Sequence, residues 1–143
     1  LVNSFYEDIL VLAENKQQKV LVRIDDNISI TGDKVRIYQL LLNLADNAIK
    51  YTPDNGIIEI TLSKEGSYAI FTIKDNGIGI PDEHLPFVFE RFYRVDKSRS
   101  RQSGGYGLGL AVCKTIVEAH KGIITLSSNI SGGITVFVKL PVA

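Results

Sequence analysis

The chain has 143 residues, the size of one ordinary domain, and can bury a core without disulfide or metal staples. Its 16 Lys+Arg balance 16 Asp+Glu, which argues against a broad electrostatic grip on nucleic acid or anionic lipid. Its one cysteine, Cys113, excludes an internal disulfide and cannot make a zinc site alone.

The predicted elements follow in chain order. Residues 5–18 place Phe5, Ile9, Leu10, Leu12 and Ala13 at helical spacing, and Ser4 with Glu7 has the form of a capping box at the start. Residues 20–24 alternate as a strand, Asp25-Asp26-Asn27 turns the chain, and residues 28–30 make a short second strand. Asp33 is an N-cap for a central helix over residues 35–51, whose Ile37, Leu40, Leu41, Leu44, Ala45, Ala48 and Ile49 describe one wide apolar face. Pro53-Asp54-Asn55-Gly56 ends it. Residues 57–62 and 68–74 form a hairpin. A short helical or irregular stretch over residues 84–94 carries Phe87, Phe89, Phe92 and Tyr93, and residues 96–105 are polar, basic and loop-like. A helix over residues 107–120 closes at Lys121-Gly122, with Cys113 as a small buried residue beside Val112 and Ile116. Residues 123–127 and 134–140 form a last hairpin. Helices and hairpins mix without a βαβ repeat, so the expected fold is α+β, a two-layer sandwich of one mixed sheet under helices, in a single domain over residues 1–143.

Three stretches bear chemistry. Asn43, Asn47 and Lys50 form a ladder on a second face of the central helix. Asparagine competes with its own backbone inside a helix, so two in register need a reason. A solvated polar stripe and a pocket face, with amide oxygens for a hard cation and an ammonium for phosphate, both satisfy the pattern. Asp75-x-Gly77-x-Gly79 ends a strand: a carboxylate to accept from an exocyclic amine, and glycines that let a flat ring approach, although a tight turn accounts for the same residues. Residues 104–110 (GGYGLGL) open a helix where free N–H groups favour an anion; the alternative is a hinge. No Gly-Lys-Ser/Thr follows, and a polar loop rather than a strand precedes, so this is neither a Walker A loop nor a dinucleotide fingerprint. Arg91, Arg94, Lys97, Arg99 and Arg101 cluster just before it, as a solvated face or a polyphosphate counter-charge. The aromatics do not interleave with these charges, so no nucleic-acid partner is expected.

In order and spacing these stretches resemble the catalytic domains of sensor histidine kinases. Asn43-x-x-x-Asn47-Ala48-x-Lys50-Tyr51 resembles their N box, residues 75–81 (DNGIGIP) their G1 box, residues 87–93 (FVFERFY) their F box, and residues 105–110 (GYGLGL) their G2 box. Residues 133–141 resemble their terminal strand pair, and the likeness covers nearly the whole chain from about Asn3. It implies the ATP-binding sandwich shared with type II topoisomerases, heat-shock chaperones and mismatch-repair ATPases. By position, Asp75 would bond the adenine amino group, Gly77 would let the base approach, Gly79 and Ile80 would line it and Tyr51 would pack near it. Asn47 would ligate Mg²⁺, with Asn43 assisting on metal or phosphates, and Lys50 and Arg94 would meet phosphate oxygens. Gly105, Gly107, Leu108 and Gly109 would hold phosphates from their N–H groups, residues 96–104 would be a lid, and Thr135 would reach the adenine region through water.

Two departures stand out. ATPase relatives place a glutamate base where this chain has Asn43, which takes no proton, so slow hydrolysis and retention of the γ-phosphate for transfer are expected. Tyr106 stands where the family usually has a small hydroxyl residue. Neither His84, expected at the surface, nor His120, expected as a partner of a helix C-terminus, lies in the acceptor context His-Glu-x-x-x-Pro. The resemblance therefore implies a kinase half that binds ATP and Mg²⁺ and phosphorylates a histidine on a separate dimerisation/phosphoacceptor helical hairpin, followed by a response regulator. The isolated domain is expected to be monomeric and cytoplasmic, its parent a homodimer attached to the membrane. No apolar run here approaches the roughly 18–20 residues of a spanning helix. An anti-sigma-type serine kinase and a nucleotide-gated interaction module are the alternative functions.

Overall fold

The computed structural model describes residues 2–14, 16–25, 27–90, 109–129 and 132–143. Helix α1 (Val2–Glu14) leads into strand β1 (Lys19–Ile24), and helix α2 (Lys34–Tyr51) into the hairpin of β2 (Ile57–Glu65) and β3 (Tyr68–Asp75). A 3₁₀ helix (Asp82–Phe87) follows, then helix α3 (Gly109–Ala119) and the hairpin of β4 (Ile123–Ser128) and β5 (Ile134–Pro141). The five strands form one sheet in the order β1-β2-β3-β5-β4. Only β1 with β2 runs parallel, and the other pairs are antiparallel, so the sheet is mixed as expected.

Strand alternation gives the sheet two unlike faces. The face formed by Ile58, Ile60, Phe71, Ile73, Val136 and Val138 is buried under the helices. Helix α1 contributes Phe5, Ile9 and Ala13, with the Phe5 ring edge-on to Phe71 at 6.0 Å between centroids. Helix α2 buries the same seven residues that its periodicity predicts, and α3 adds Cys113, Ile116 and Val117. Burying each Leu or Ile contributes about 1.5–3 kcal/mol, so this layer holds the helices against the sheet.

Asp33 caps α2 as predicted: its Oδ1 accepts from the N–H groups of Val35 (3.0 Å) and Arg36 (3.2 Å). His120 joins the other end of the helical layer to this cap. Its Nδ1–H donates to the Ile116 carbonyl at 2.8 Å, and its Nε2 accepts from the Asp33 N–H at 3.0 Å. The first contact is the helix-end role expected of it; the second is additional.

Three local expectations are corrected. Helix α1 starts before Ser4 and ends at Glu14, because the buried stripe of Phe5, Ile9 and Ala13 runs its whole length and Gln17 turns the chain at φ 53°. Ser4 is therefore an exposed residue inside the helix rather than its cap. Residues 28–30 are not a strand: Asn27 takes φ 63°, and the Ser29 carbonyl is met by the N–H of Ala143 alone at the foot of the sheet, with no ladder around it. The closure of α3 at Lys121-Gly122 is present as expected, with Lys121 in the left-handed conformation at φ 62°. The N–H of Gly122 reaches the Val117 carbonyl at 2.9 Å and that of Lys121 the Glu118 carbonyl at 3.0 Å, a Schellman closure. Gly122 is needed for another reason, since a Cβ there would overlap the Lys139 carbonyl oxygen.

Candidate nucleotide-binding site

The end of β3 builds one half of the site. Asp75 pairs with Ile58 in the ladder, so its side chain points to the helix-covered face, where it is 3% exposed. Its Oδ1 accepts from the N–H of Gly77 at 2.9 Å and of Ile134 at 3.3 Å. Its Oδ2 is buried and has no hydrogen-bond partner among the described residues. Burial raises the Asp75 carboxyl above its ordinary range, against the lowering effect of the two N–H groups. An unpartnered buried acceptor costs about 1–3 kcal/mol, a penalty that a donor on a ligand would remove.

The loop after Asp75 is set by close backbone approaches. The N–H of Ile78 meets the Tyr51 carbonyl at 3.4 Å, and a Cβ on Gly77 would overlap that same carbonyl oxygen. Gly79 takes φ 73° beside the backbone of Gly133, and Gly133 itself takes φ 84° against the Asp75 carbonyl. Only glycine satisfies the conformation and the contact at Gly133 together. Asn76 turns back to accept from the Ile57 N–H at 2.8 Å, closing the sheet end. Ile80 is half-buried, and its carbonyl accepts from the Ser128 hydroxyl at 2.8 Å.

Helix α2 supplies the other half. Asn43, Asn47 and Lys50 are half-buried along one side of it. The Cys113 thiol of α3 donates to the Leu40 carbonyl of α2 at 3.8 Å, with Asn43 beside it. Burial pushes that thiol up to about 12, with the Asn43 contact opposing, so Cys113 is an inert packing residue as its pattern suggests. Lys50 Nζ lies 2.8 Å from Asp46 Oδ2, one turn earlier. The C-terminal carbonyls of α2 are gathered by two side chains from the α1–β1 connection. Lys16 Nζ donates to Ile49 (2.9 Å), Lys50 (3.3 Å) and Thr52 (2.7 Å), and Gln18 Nε2 to Ile49 (3.0 Å) and Thr52 (2.8 Å). A cation there also complements the helix dipole.

The structure thus brings Tyr51, Asp75, Gly77, Gly79 and Ile80 together at one end of the sheet, with Asn43, Asn47 and Lys50 on the helix that ends at Tyr51. Thr135 is placed differently from Asp75. It pairs with Lys74, so its side chain lies on the opposite face of the sheet, and its hydroxyl donates to Asn129 Oδ1 at 2.8 Å. Gly109 is the first residue of α3. Arg94, Gly105, Gly107, Leu108, Tyr106 and the lid over residues 96–104 lie outside the described residues. Sequence reasoning gave no role to Lys16, Gln18, Asp46, Asn129 or Gly133. The i, i+4 spacing of Asp46 and Lys50 was a usable signal; for Lys16 and Gln18, whose partners are more than thirty residues away, no local signal exists.

Residues 32–143 match the family described as histidine kinase-, DNA gyrase B-, and HSP90-like ATPase. The chain belongs to this family. Its sensor-kinase branch is clear from relatives and from fold. The chain is 41% identical over 123 residues to the signal transduction histidine-protein kinase BaeS of Escherichia coli, covering 86% of this chain and 26% of BaeS. It is 40% identical over 151 residues to the sensor protein SrrB of Staphylococcus aureus, covering 98% and 26% respectively. Among solved structures, the mycobacterial sensor histidine kinase MprB superposes with a TM-score of 0.83 at 26% identity, covering 99% of this chain and 95% of that one. Full-length ShkA, solved in complex with AMPPNP, gives 0.82 at 26% identity, covering 99% and 29%. The chain spans about a quarter of the length of the curated relatives it matches. It is an ATP-binding domain of the sensor histidine kinase type, in the α+β fold that its sequence predicts.

The geometry fits the nucleotide that this family takes. A buried carboxylate oxygen in want of a donor suits an exocyclic amine on a flat base. Among the described residues no three or more His, Cys, Asp or Glu side chains gather around a metal position.

Proposed function

We propose that this kinase-type domain binds Mg-ATP and donates the γ-phosphate to a histidine on a separate dimerisation/phosphoacceptor helical hairpin, from which a response regulator takes it. The observation that carries this is Asp75: a buried carboxylate with one oxygen held by two N–H groups and the other awaiting a donor. In the bound state ATP supplies the phosphoryl group and Mg²⁺ the charge that holds its oxygens.

The residues of this chain then bind and orient. Asp75 Oδ2 accepts from the adenine amino group, with the loop of Gly77 and Gly79 beside it and Tyr51 and Ile80 bordering the base. Asn47, assisted by Asn43, would hold the metal through amide oxygens, and Lys50 would exchange Asp46 for a phosphate oxygen. Arg94, Gly105, Gly107, Leu108 and Gly109 complete the phosphate cradle. Asn43, an amide, offers no base to a water molecule, so the domain keeps its γ-phosphate until an acceptor nitrogen arrives. The bond from the γ-phosphorus to the bridging oxygen breaks as the bond to the imidazole nitrogen forms, and ADP leaves. The parent protein is a homodimer fixed to the membrane with this domain on the cytoplasmic side. No helix among the described residues is long and apolar enough to cross a membrane.

Calorimetric titration of ADP and ATP, with and without Mg²⁺, tests the site. Asn47→Ala is expected to abolish the Mg²⁺-dependent part of binding, and Asp75→Asn to weaken adenine nucleotides by about 10–100-fold, the value of a charge-assisted hydrogen bond. Incubation with the acceptor hairpin of a sensor kinase and ATP should then give an acid-labile phosphoprotein; an acid-stable product would point to serine instead.

A further inference from the structure

The base end of the site rests on a residue outside every nucleotide motif. Asn129 follows the last residue of β4, two strands away from β3, yet its side chain bridges back across β5. Its Nδ2 donates to the Asp75 main-chain carbonyl at 3.2 Å, and its Oδ1 accepts from the Thr135 hydroxyl at 2.8 Å. Its own backbone closes the turn, the N–H meeting the Gly133 carbonyl at 2.9 Å and the carbonyl receiving the Gly132 N–H at 3.1 Å. The preceding residue, Ser128, donates to the Ile80 carbonyl at 2.8 Å. The end of β4 therefore holds the loop 75–80 at both of its ends.

The two amide contacts do different work. A main-chain carbonyl can only accept, so Asp75 takes the Asn129 NH₂ and fixes which way the amide faces, and the Thr135 hydroxyl, which can donate, meets the amide oxygen. With that carbonyl anchored and Gly133 pressed against it, the Ile134 N–H is brought onto Asp75 Oδ1, which leaves Oδ2 as the free acceptor. We propose that Asn129 is a positioning residue for base recognition: it aims the Asp75 carboxylate, and so sets the preference for a base bearing an amine over one bearing a carbonyl at the same position. The inference rests on the nucleotide reading of Asp75.

The test compares ADP with IDP, which differ in that group, by calorimetric titration of wild type, Asn129→Ala, Asn129→Asp, Thr135→Ala and the Asn129→Ala/Thr135→Ala pair. Asn129→Asp keeps the size and the acceptor for Thr135 but removes the donor to Asp75, and serves if the alanine variant does not fold. Loss of one net hydrogen bond predicts that the ADP:IDP preference falls about fivefold in both Asn129 variants. It also predicts that the double variant loses less than the product of the two single losses, as for groups acting through one contact. Lower thermal stability with an unchanged ADP:IDP ratio in the Asn129 variants would overturn the positioning role and leave the nucleotide site standing. A wild type that binds neither nucleotide, or both alike, would overturn the nucleotide reading itself and this inference with it.

Discussion

The two halves of the site are built on opposite plans. At the β3 end the groups are held by backbone: Asp75 by two N–H groups, Ile78 by the Tyr51 carbonyl, Gly133 by contact with the Asp75 carbonyl. On α2 the groups are side chains, and Lys50 is held by a neighbouring side chain, that of Asp46. The first half is preorganised for one shape of ligand. On the proposed function, Lys50 in the second half exchanges Asp46 for a phosphate oxygen on binding.

The largest effect that would break this contrast is expected at Gly133. Alanine there meets both a left-handed backbone at φ 84° and the Asp75 carbonyl oxygen. Strain and overlap together are expected to cost about 3 kcal/mol, read as a fall in the urea midpoint, and to impair ADP binding in whatever remains folded. A variant with wild-type stability would mean that the base end yields, and the contrast would fail.

The second prediction concerns pH. Burial raises the Asp75 carboxyl in the folded state, so its ionised form is disfavoured there relative to the unfolded chain. Its contribution is therefore fully stabilising only below the ordinary aspartate range and is lost as pH rises through the raised folded value. Measured against Asp75→Asn, which does not titrate, wild type should gain relative stability as pH falls through that interval. The opposite slope would show that the two N–H groups outweigh burial.

The smallest effect lies on the helix. Asp46→Ala removes an i, i+4 ion pair whose Asp46 side chain is largely exposed, so stability should change by no more than about 0.5 kcal/mol. Because Lys50 is then no longer engaged, the preference for ATP over adenosine is expected to rise by up to about twofold in titration. A fall would mean that Asp46 orients Lys50 for phosphate rather than competing with it.

What the sequence discloses follows the same division. Helix α2 was legible because its apolar residues, its Asp33 cap and its terminating Pro53 are all local, and the structure buries the residues that the period selects. The hairpin turn was legible in outline; the structure narrows it to Gly66-Ser67, with Gly66 at φ 61°. The order of the nucleotide motifs disclosed the family. The misplaced start of α1 and the spurious strand over residues 28–30 came from local patterns that long-range contacts override: the Phe5, Ile9 and Ala13 stripe in one case, the Ala143 contact in the other. The partners of Lys16, Gln18 and Asn129 are not legible at all, since each lies on an element that only the assembled sheet brings near. The aim of the Thr135 side chain was hidden likewise, because it depends on the register of β5 against β3.

That register has a consequence in time. Strand β3 lies in the middle of the sheet, and its second neighbour is β5, so Lys74 waits for Thr135 before its ladder is complete. Closing so long a loop is the slow kind of event in folding. During synthesis, a chain that has emerged only as far as α3 holds the carboxylate of Asp75 without the Ile134 N–H or the glycine that seats it. On the proposed function, the base end of the site is complete only once β5 has paired with β3.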